Sequence, residues 1–338
     1  MTEAGQTPLP EPRGGVTWRH LASSDAPGIL AVILASDAAD QQPYVMTMEE
    51  LEHTLADKRL DLARDSVGGF TDDGRLVCFG ASRARSVAVR RRIIYQDGYV
   101  HPEWRRRGLG DALMAFTEQR SREWLAERRV SEGDDGVPAY LETYCDERLA
   151  GHRALYEKRG YRPIRWYTDM RRDLAVAIPD ASLPAGLRIV SWTPDTDEAY
   201  RVAHVTAFDD HWGSEPLTPD EWHTRFTGSP MFRPQLTVGA VDADGRLVGY
   251  VIGYHAPEDA KVTGRLEGWL GQVGTLREWR GRGVASALIA QAMRLMHDAG
   301  LQDAMLDVDT ENPTGAMGLY ERLGFKPERR SIRWEKTV

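Results

Sequence analysis

Apolar and polar residues follow an order that occurs twice along the chain. Each time, two short apolar runs flank an Asp-Gly pair, the second run covering residues 76–81 in one case and 247–254 in the other. An Asp-Gly pair between apolar runs predicts a β-hairpin. Another predicted strand (96–100; 271–276) leads into an Arg- and Gly-rich loop, and apolar residues at helical spacing follow it, in the second case Val284, Leu288, Ile289, Ala292, Leu295 and Met296.

The remainder of each pattern predicts a strand, a short helix that carries a tyrosine, and a last strand. The strands cover residues 139–144 and 304–308. Strands and helices in this order predict an α/β domain built on a mixed, mostly antiparallel sheet, and exclude a doubly wound nucleotide-binding fold.

Three sequence repeats place two copies of one domain in the chain. DGRLV occurs at residues 73 and 244, EWRRRG and EWRGRG begin at 103 and 278, and LYEKRGYRP and LYERLGFKP begin at 155 and 319. Their spacing far exceeds that of solenoid repeats. We expect an N-terminal domain at 14–174 and a C-terminal domain at 186–338. A linker of small residues at 175–185, with Pro179 and Pro184, joins them, and residues 1–13 form a flexible tail.

Length and charge narrow the class of protein. A chain of 338 residues suits two domains, and 43 Lys and Arg against 51 Asp and Glu give a net charge of -8, which disfavours nucleic acid as a partner. We expect a cytoplasmic monomer or homodimer without membrane contact, because the sequence has neither a membrane span nor signal-peptide features. The two cysteines, Cys78 and Cys145, lack metal-site spacing, so no metal is expected.

The Arg- and Gly-rich loop is the sharpest chemical signal. Small residues let the backbone approach a ligand closely, and the N–H groups at the start of the next helix favour an anion. The pattern therefore predicts a phosphate-bearing cofactor. Two other interpretations remain open here: a helix-capping turn that binds nothing, and a nucleic-acid patch at residues 105–107.

Both copies resemble the GNAT superfamily of acyl-CoA-dependent N-acyltransferases, whose motif of this form holds the coenzyme A pyrophosphate. The second copy also has Asn312, Ala316, Tyr320 and Phe325, similar to the second signature of the family. The resemblance implies acetyl-CoA as the cofactor. It assigns cofactor contacts in the second copy to Val273, Gly274, Thr275, Arg280, Gly281, Arg282, Gly283, Val284, Ala285, Ser286 and Asn312, and in the first copy to Gly98, Tyr99, Val100, Arg105, Arg106, Arg107, Gly108, Leu109, Gly110 and Tyr156.

Transfer of an acetyl group to an amine needs a base for the amine and an acid for the departing thiolate. The resemblance implies that Tyr320 is the acid, and Glu267, upstream on the strand, is the candidate base. We expect the second copy to be catalytic because the first has Arg148 where the second has Asn312. Candidate acceptor contacts are Asp210, His211, Trp212 and Asp309.

The expected activity is direct transfer, in a ternary complex, to a primary amine of a small molecule such as an aminosugar, an aminoglycoside or an amino-acid derivative. Two alternatives remain open on the sequence alone. One is a non-catalytic module that binds acyl-CoA for regulation, and the other is an acetyltransferase acting on protein N-termini or lysines.

Overall fold

The computed structural model describes residues 7–311 and 315–338. The chain forms two compact units, Met1–Ile164 with Ile332–Val338 and Arg165–Ser331. The first unit thus includes the end of the chain. The domain limits expected above stay a prediction. No helix among the described residues is both long and apolar enough to cross a membrane.

Among its described residues, the first unit contains five complete strands and parts of two more, one of them the end of the last strand of the chain. Its elements are β1 (Thr17–Arg19), α1 (Ala26–Ala39), α2 (Met48–Leu55), α3 (Leu62–Asp65), β2 (Ser66–Phe70), β3 (Leu76–Ala84), β4 (Arg92–Val100), α4 (Leu109–Glu132), β5 (Ala139–Asp146), α5 (Ala150–Lys158) and the start of β6 (Arg162–Asp173).

Strands β1 to β4 of the first unit pair in antiparallel order, and β4 pairs with β5 in parallel from Arg92↔Ala139 to Tyr95↔Glu142. Residues of α1 pack with Phe79 on one face of this sheet, whereas residues of α4 pack with Val67 and Val77 in a separate core.

The second unit holds the remainder of β6 and the later elements. These are β7 (Arg188–Ser191), α6 (Asp197–Ala207), α7 (Pro219–Trp222), β8 (Val238–Val241), β9 (Leu247–Tyr254), α8 (Ala260–Thr263), β10 (Glu267–Thr275), α9 (Val284–Asp298), β11 (Asp303–Asp309), α10 (Ala316–Arg322) and the start of β12 (Lys326–Thr337).

The sheet of the second unit repeats the pattern of the first. Strands β7 to β10 are antiparallel, β10 is parallel to β11, and β11 is antiparallel to β6. One apolar core lies against α9, and an aromatic core containing Tyr200, Trp222 and Tyr250 includes residues of α6 and α7. The fold class predicted from the sequence, a mixed and mostly antiparallel α/β sheet in each copy, is confirmed.

Both predicted hairpins are present, with Gly74 and Gly245 at φ values of +83° and +82° in their turns. The strands before the loops begin earlier than predicted. Strand β10 begins at Glu267 because residues 267–269 pair with residues 303–305. Strand β4 likewise begins at Arg92.

Candidate functional site

The loop between β10 and α9 presents an open helix start. Gly283 precedes α9 with φ +87°, a left-handed conformation that favours glycine, and no side chain caps the helix. A Cβ atom built on Gly281 or Gly283 would meet nothing within 4 Å. The N–H groups of Val284, Ala285 and Ser286 form the first turn beyond this space. The residues present therefore fit the pyrophosphate of acetyl-CoA.

Arg280 anchors this loop to the chain around it. Its Nε donates to the carbonyl of Thr275 at 3.2 Å, and its Nη2 donates to the carbonyl of Ala207 at 2.7 Å. Asp210 accepts from Arg280 at 2.7 and 3.0 Å and from Arg277 at 2.9 Å. These two guanidinium groups hold the pKa of Asp210 well below its ordinary value. Arg280 and Asp210 thus position the loop.

Strand β10 separates from β11 in front of the loop. Their parallel pairing covers Glu267–Trp269, whereas β11 from Leu306 onward pairs with β6 only. The register of β10 against β9 also shifts between Leu270 and Gln272, which is a β-bulge at Gly271. The strand that contains Val273, Gly274 and Thr275 consequently faces a gap on the β11 side. Its main-chain N–H groups there can donate hydrogen bonds to a ligand, and its carbonyl groups can accept them.

The first unit lacks this bulge. Its β3–β4 register runs without a shift from Cys78↔Val100 to Ala84↔Ile94. The strand containing Gly98 and Tyr99 is therefore regular where its counterpart in the second unit is bulged.

Tyr320 lies on α10 and is 8% exposed. Burial, with Asp307 contributing, raises the pKa of its hydroxyl, so the group carries its proton at neutral pH. We find no hydrogen bond from this hydroxyl to another of the described residues. The equivalent Tyr156 of the first unit contacts Thr143 Oγ1 at 3.4 Å and the carbonyl of Tyr144 at 3.5 Å.

Glu267 lies in the paired part of β10 and not at the bulge. Gly271 is four residues further along, about 13 Å at strand spacing. The side chain is 6% exposed, and burial raises its pKa to about 7, with Asp303 and Asp259 contributing and Arg171 opposing. Its pKa suits a base at neutral pH. Because it lies far from the bulge, a chain of water molecules would have to carry the proton to it. Its catalytic role stays a prediction.

Three of the expected acceptor contacts lie together. Burial lowers the pKa of His211, and the negative charge of Asp309 acts in the opposite direction. These two side chains are therefore near each other. Trp212 stacks under the guanidinium group of Arg165 at 4.9 Å. Arg165 also lies 3.7 Å from Asp309 and 2.7 Å from Glu311. Sequence reasoning missed Arg165, because it lies on β6, far from every motif of the second copy.

The first unit repeats the loop with two differences. Arg105 pairs with Asp40 at 2.7 and 2.8 Å, and Gly108 begins α4 with φ +80°. However, Arg106 has a φ of +63° where the second copy has Gly281, and Arg13 Cδ lies 3.1 Å from the position of a Cβ on Gly108. The chain's own N-terminal segment therefore lies on this turn.

The remaining expected cofactor residues occupy the same loops. Arg107 and Arg282 stack on Trp104 and Trp279 at 4.3 and 5.2 Å, respectively. Leu109 is buried in the core of the first unit, and Gly110 follows it on α4. Asn312 lies outside the described residues.

Comparison with known proteins agrees with this geometry. A profile of the acetyltransferase (GNAT) family matches residues 196–325, and a profile of the acetyltransferase (GNAT) domain matches residues 67–163. The mycothiol acetyltransferase of Pseudarthrobacter chlorophenolicus is 31% identical over 241 residues, 71% of this chain and 67% of that protein. The mycothiol acetyltransferase of Frankia alni is 28% identical over 342 residues, 94% of this chain and 93% of that protein.

Solved structures show the same architecture. A GCN5-related N-acetyltransferase from Sphaerobacter thermophilus aligns with a TM-score of 0.73 and 28% identity, over 98% of this chain and 97% of that chain. A tandem GNAT protein from the clavulanic acid biosynthesis pathway aligns with a TM-score of 0.64 over 95% of this chain and 98% of that chain. Its 21% identity shows the fold alone. The chain belongs to the GNAT family of acetyltransferases: it is an acyltransferase with two GNAT domains in tandem, and acetyl-CoA is its cofactor.

Proposed function

We propose that the second unit transfers an acetyl group to a primary amine of a small molecule, by direct transfer in a ternary complex. One observation carries this proposal: the open turn at Gly283, the bulged strand at Gly271 and the Tyr320 hydroxyl occur in one unit. The first unit has a regular strand and a tyrosine hydroxyl with hydrogen-bond partners. The name of the relatives, mycothiol acetyltransferase, supports a small-molecule acceptor.

The site residues supply binding, polarisation and proton transfer. When bound, acetyl-CoA supplies the thioester whose acetyl group is transferred. The main chain around Gly283 holds the phosphates, and N–H groups of β10 beside the gap polarise a carbonyl placed there. An alkylamine with a pKa near 10.4 is neutral in about one molecule in 2500 at pH 7, so removal of its proton is essential. Glu267 takes this proton through water, and Tyr320 gives its own to the leaving sulfur, whose ordinary pKa is about 8.5.

Four neighbouring residues contact the acceptor: His211, Trp212, Asp309 and Arg165. Asp309 and Glu311 are acidic and favour a cationic amine. The indole of Trp212, held under Arg165, gives a flat apolar surface against which a sugar or a planar ring can pack. These features favour an aminosugar, an aminoglycoside or an amino-acid derivative.

The test is amine-dependent release of free thiol from acetyl-CoA by the full chain. The panel contains glucosamine, an aminoglycoside, amino-acid amides and a lysine peptide, and mass spectrometry identifies the N-acetyl product. We expect Tyr320→Phe to lower kcat by about 100-fold or more, the range typical of general acid catalysis. The matched control is Tyr200→Phe in the same unit, which removes a buried hydroxyl that has no hydrogen-bond partner among the described residues. Thiol release that no amine accelerates would contradict the proposal, and acetylation of the peptide alone would replace the small-molecule acceptor with a protein.

A further inference from the structure

Two glycines of β10 lie where this strand borders the gap to β11. Gly274 pairs with Tyr250 of β9, and Gly271 is the bulged residue. Tyr250 belongs to the aromatic core that includes residues of α6 and α7, and Tyr254 packs against this core. The two glycines therefore lack side chains on the side of β10 that carries the aromatic core.

Tyrosine rings of β9 occupy the space that side chains at these two positions would fill. A Cβ atom built on Gly274 would lie 2.6 Å from the hydroxyl oxygen of Tyr250, and one built on Gly271 would overlap Cδ2 and Cε2 of Tyr254. Real Cβ atoms do not approach other atoms so closely. Each ring therefore lies directly on the main chain of β10, and both positions require glycine.

The Tyr250 ring is fixed from behind. The Tyr200 ring packs edge-on against it, with centroids 5.8 Å apart, and His204 Nδ1 lies 2.7 Å from its hydroxyl. Tyr250 and Trp222 of the same core are fully buried. Because protein cores are close-packed, this ring cannot withdraw to make room for a ligand.

The Tyr254 ring lies at the bulge itself. It packs edge-on against Phe232, with centroids 6.2 Å apart, and a β-bridge joins the main chains of the two residues. The Tyr254 hydroxyl is buried and has no hydrogen-bond partner among the described residues. A buried hydroxyl without a partner costs stability, so the size of the ring, and not a hydrogen bond, explains its place here.

The first unit differs at the corresponding positions. In the DGRLV repeat, Phe79 and Arg83 of β3 correspond to Tyr250 and Tyr254. Phe79 pairs with Tyr99 and not with a glycine, and the two rings stack with centroids 5.5 Å apart. Within the described ranges, a ring that lies on a glycine at these strand positions is therefore a feature of the second unit, which also has the open cofactor loop.

The rings lie beside the main chain that polarises a carbonyl group. The N–H groups that do so belong to β10 next to the gap, as do Gly271 and Gly274. An acyl chain attached to such a carbonyl starts at the same stretch of strand, where the rings limit the space on the side of α6 and α7. Overfilling a close-packed site forces side chains out of their rotamers. One methylene group in a shaped apolar site changes discrimination by about 10- to 200-fold.

We propose that Tyr254, together with Tyr250, sets the length of the acyl group that the second unit accepts. The two rings close the acyl end of the cofactor site, so that it takes an acetyl group and excludes a butyryl or longer chain. Tyr254 acts by its size and transfers no proton. This inference rests on acetyl-CoA binding in the second unit, as the proposed function does, but it requires no amine acceptor.

The test is calorimetric titration of the full chain with acetyl-CoA, propionyl-CoA and butyryl-CoA, without an amine. We expect butyryl-CoA to have a dissociation constant about tenfold or more above that of acetyl-CoA, with propionyl-CoA between them. Tyr254→Ala should bring the two constants within about threefold of each other, because it opens the space at the bulge. Tyr254→Leu keeps apolar contact with Phe232, should lower the ratio in the same direction, and gives an answer even if Tyr254→Ala does not fold.

Three further variants serve as controls. Tyr254→Phe keeps the ring and should retain the wild-type ratio. Met231→Ala removes apolar volume from a residue of the same unit that is 38% exposed, and should change the ratio by no more than about twofold. Gly283→Asp should remove binding of all three acyl-CoA compounds, which assigns the site to the second unit.

Several outcomes would overturn the proposal. These are equal dissociation constants for acetyl-CoA and butyryl-CoA in the wild type, an unchanged ratio in both Tyr254→Ala and Tyr254→Leu, and a ratio that survives in Gly283→Asp. Loss of the ratio in Tyr254→Phe would assign the effect to the hydroxyl and contradict a role of the ring. Absence of amine-dependent thiol release would contradict the proposed transfer alone, because the ratio is measured by binding.

Discussion

Asp210 and Arg280 form a two-point ion pair, with N···O distances of 2.7 and 3.0 Å. The first unit has the same arrangement between Asp40 and Arg105, at 2.7 and 2.8 Å. In both units the arginine Nε also donates, at 3.2 Å, to the carbonyl five residues earlier. The first arginine of the repeated motif therefore ties the loop to the preceding strand and to an aspartate earlier in the same unit.

Asp210→Asn should loosen the cofactor loop of the second unit. We expect the KM for acetyl-CoA to rise about tenfold, equivalent to about 1.4 kcal/mol, with kcat within about threefold, because Asp210 acts through Arg280. Steady-state kinetics measure both constants. The control is Asp244→Asn, which removes a carboxylate from an exposed hairpin of the same unit. A fall in kcat with unchanged KM would instead place Asp210 at the acceptor.

Calorimetric titration with acetyl-CoA tests which units bind the cofactor. We expect one site per chain, because Arg13 lies against Gly108 whereas nothing lies within 4 Å of a Cβ on Gly283. Gly283→Asp should abolish this site by placing a charge and a strained backbone where the phosphates bind. Gly108→Asp makes the same change in the first unit and should retain the site. Two sites in the wild type would show that the N-terminal segment moves off the first loop.

The pKa of Glu267, raised to about 7, gives two pH-dependent expectations. If Glu267 accepts the amine proton, kcat/KM falls below about pH 7, and Glu267→Gln lowers the plateau and removes this limb. A pH–rate profile of both proteins measures it. An unchanged acid limb in the variant would exclude Glu267 as the base and favour His211.

Stability provides a second test of Glu267. A carboxyl group whose folded pKa lies above its ordinary value of 4.5 costs stability at high pH, and the cost disappears as pH falls from 7 to 4.5. Allowing for screening by solvent, we expect Glu267→Gln to raise the free energy of unfolding by about 1–2 kcal/mol at pH 8. The two proteins should converge near pH 4.5 in urea unfolding. A constant difference across this range would contradict the burial of a charged Glu267.

Burial of His204 costs stability at low pH, whereas burial of Glu267 costs stability at high pH. Its Nδ1 lies 2.7 Å from the Tyr250 hydroxyl, and burial lowers its pKa to about 3. Between pH 6.5 and 3 the unfolded chain binds a proton that folded His204 does not. The free energy of unfolding therefore falls, as the pH is lowered, by up to about 1.4 kcal/mol per pH unit. His204→Gln should flatten this slope in urea unfolding between pH 6 and pH 4. The exposed His297→Gln serves as a control, and equal slopes in all three proteins would contradict the assignment.

Local signals predicted the features that depend on neighbouring residues. The Asp-Gly turns, the Arg- and Gly-rich loop before α9 and the helix that carries Tyr320 follow from motifs of a few residues. The bulge at Gly271 was not predictable, because it depends on how β9 and β10 align. A Cβ on Gly271 would lie 2.2 Å from the Tyr254 ring, a contact between two strands that no local pattern encodes.

Contacts between residues far apart in the chain could not be predicted from the sequence for the same reason. Arg165 reaches Asp309 and Glu311, more than 140 positions away, because β6 pairs with β11. Alternating side chains predict that β12 is a strand, but a period of two does not specify which strand it joins. Pairing of residues 332–338 with the first unit therefore emerged only from the structure.

The end of the chain should stabilise the first unit. Lys336 Nζ lies 2.8 Å from Glu118 Oε2 and 2.7 Å from the carbonyl of Arg159, and Glu118 is 1% exposed. The Val338 N–H donates to the carbonyl of Ala139, and the Trp334 ring packs edge-on against Tyr156. Lys336→Met removes a cation from a buried carboxylate that keeps Arg159 as a partner. We therefore expect it to lower the free energy of unfolding by about 1–3 kcal/mol.

Removal of residues 332–338 should have a larger effect than Lys336→Met, because it also exposes the edge of β5 and removes Trp334, which is 2% exposed. Deleting a buried tryptophan alone costs about 3–5 kcal/mol. We expect hydrogen exchange to increase in β5 and α5 of the truncated chain, while the β9 and β10 amides of the second unit remain protected. Lys261→Met, at an exposed lysine of α8, is the control for the single substitution. Uniform loss of protection in both units would show that the last strand stabilises the whole chain and not the first unit alone.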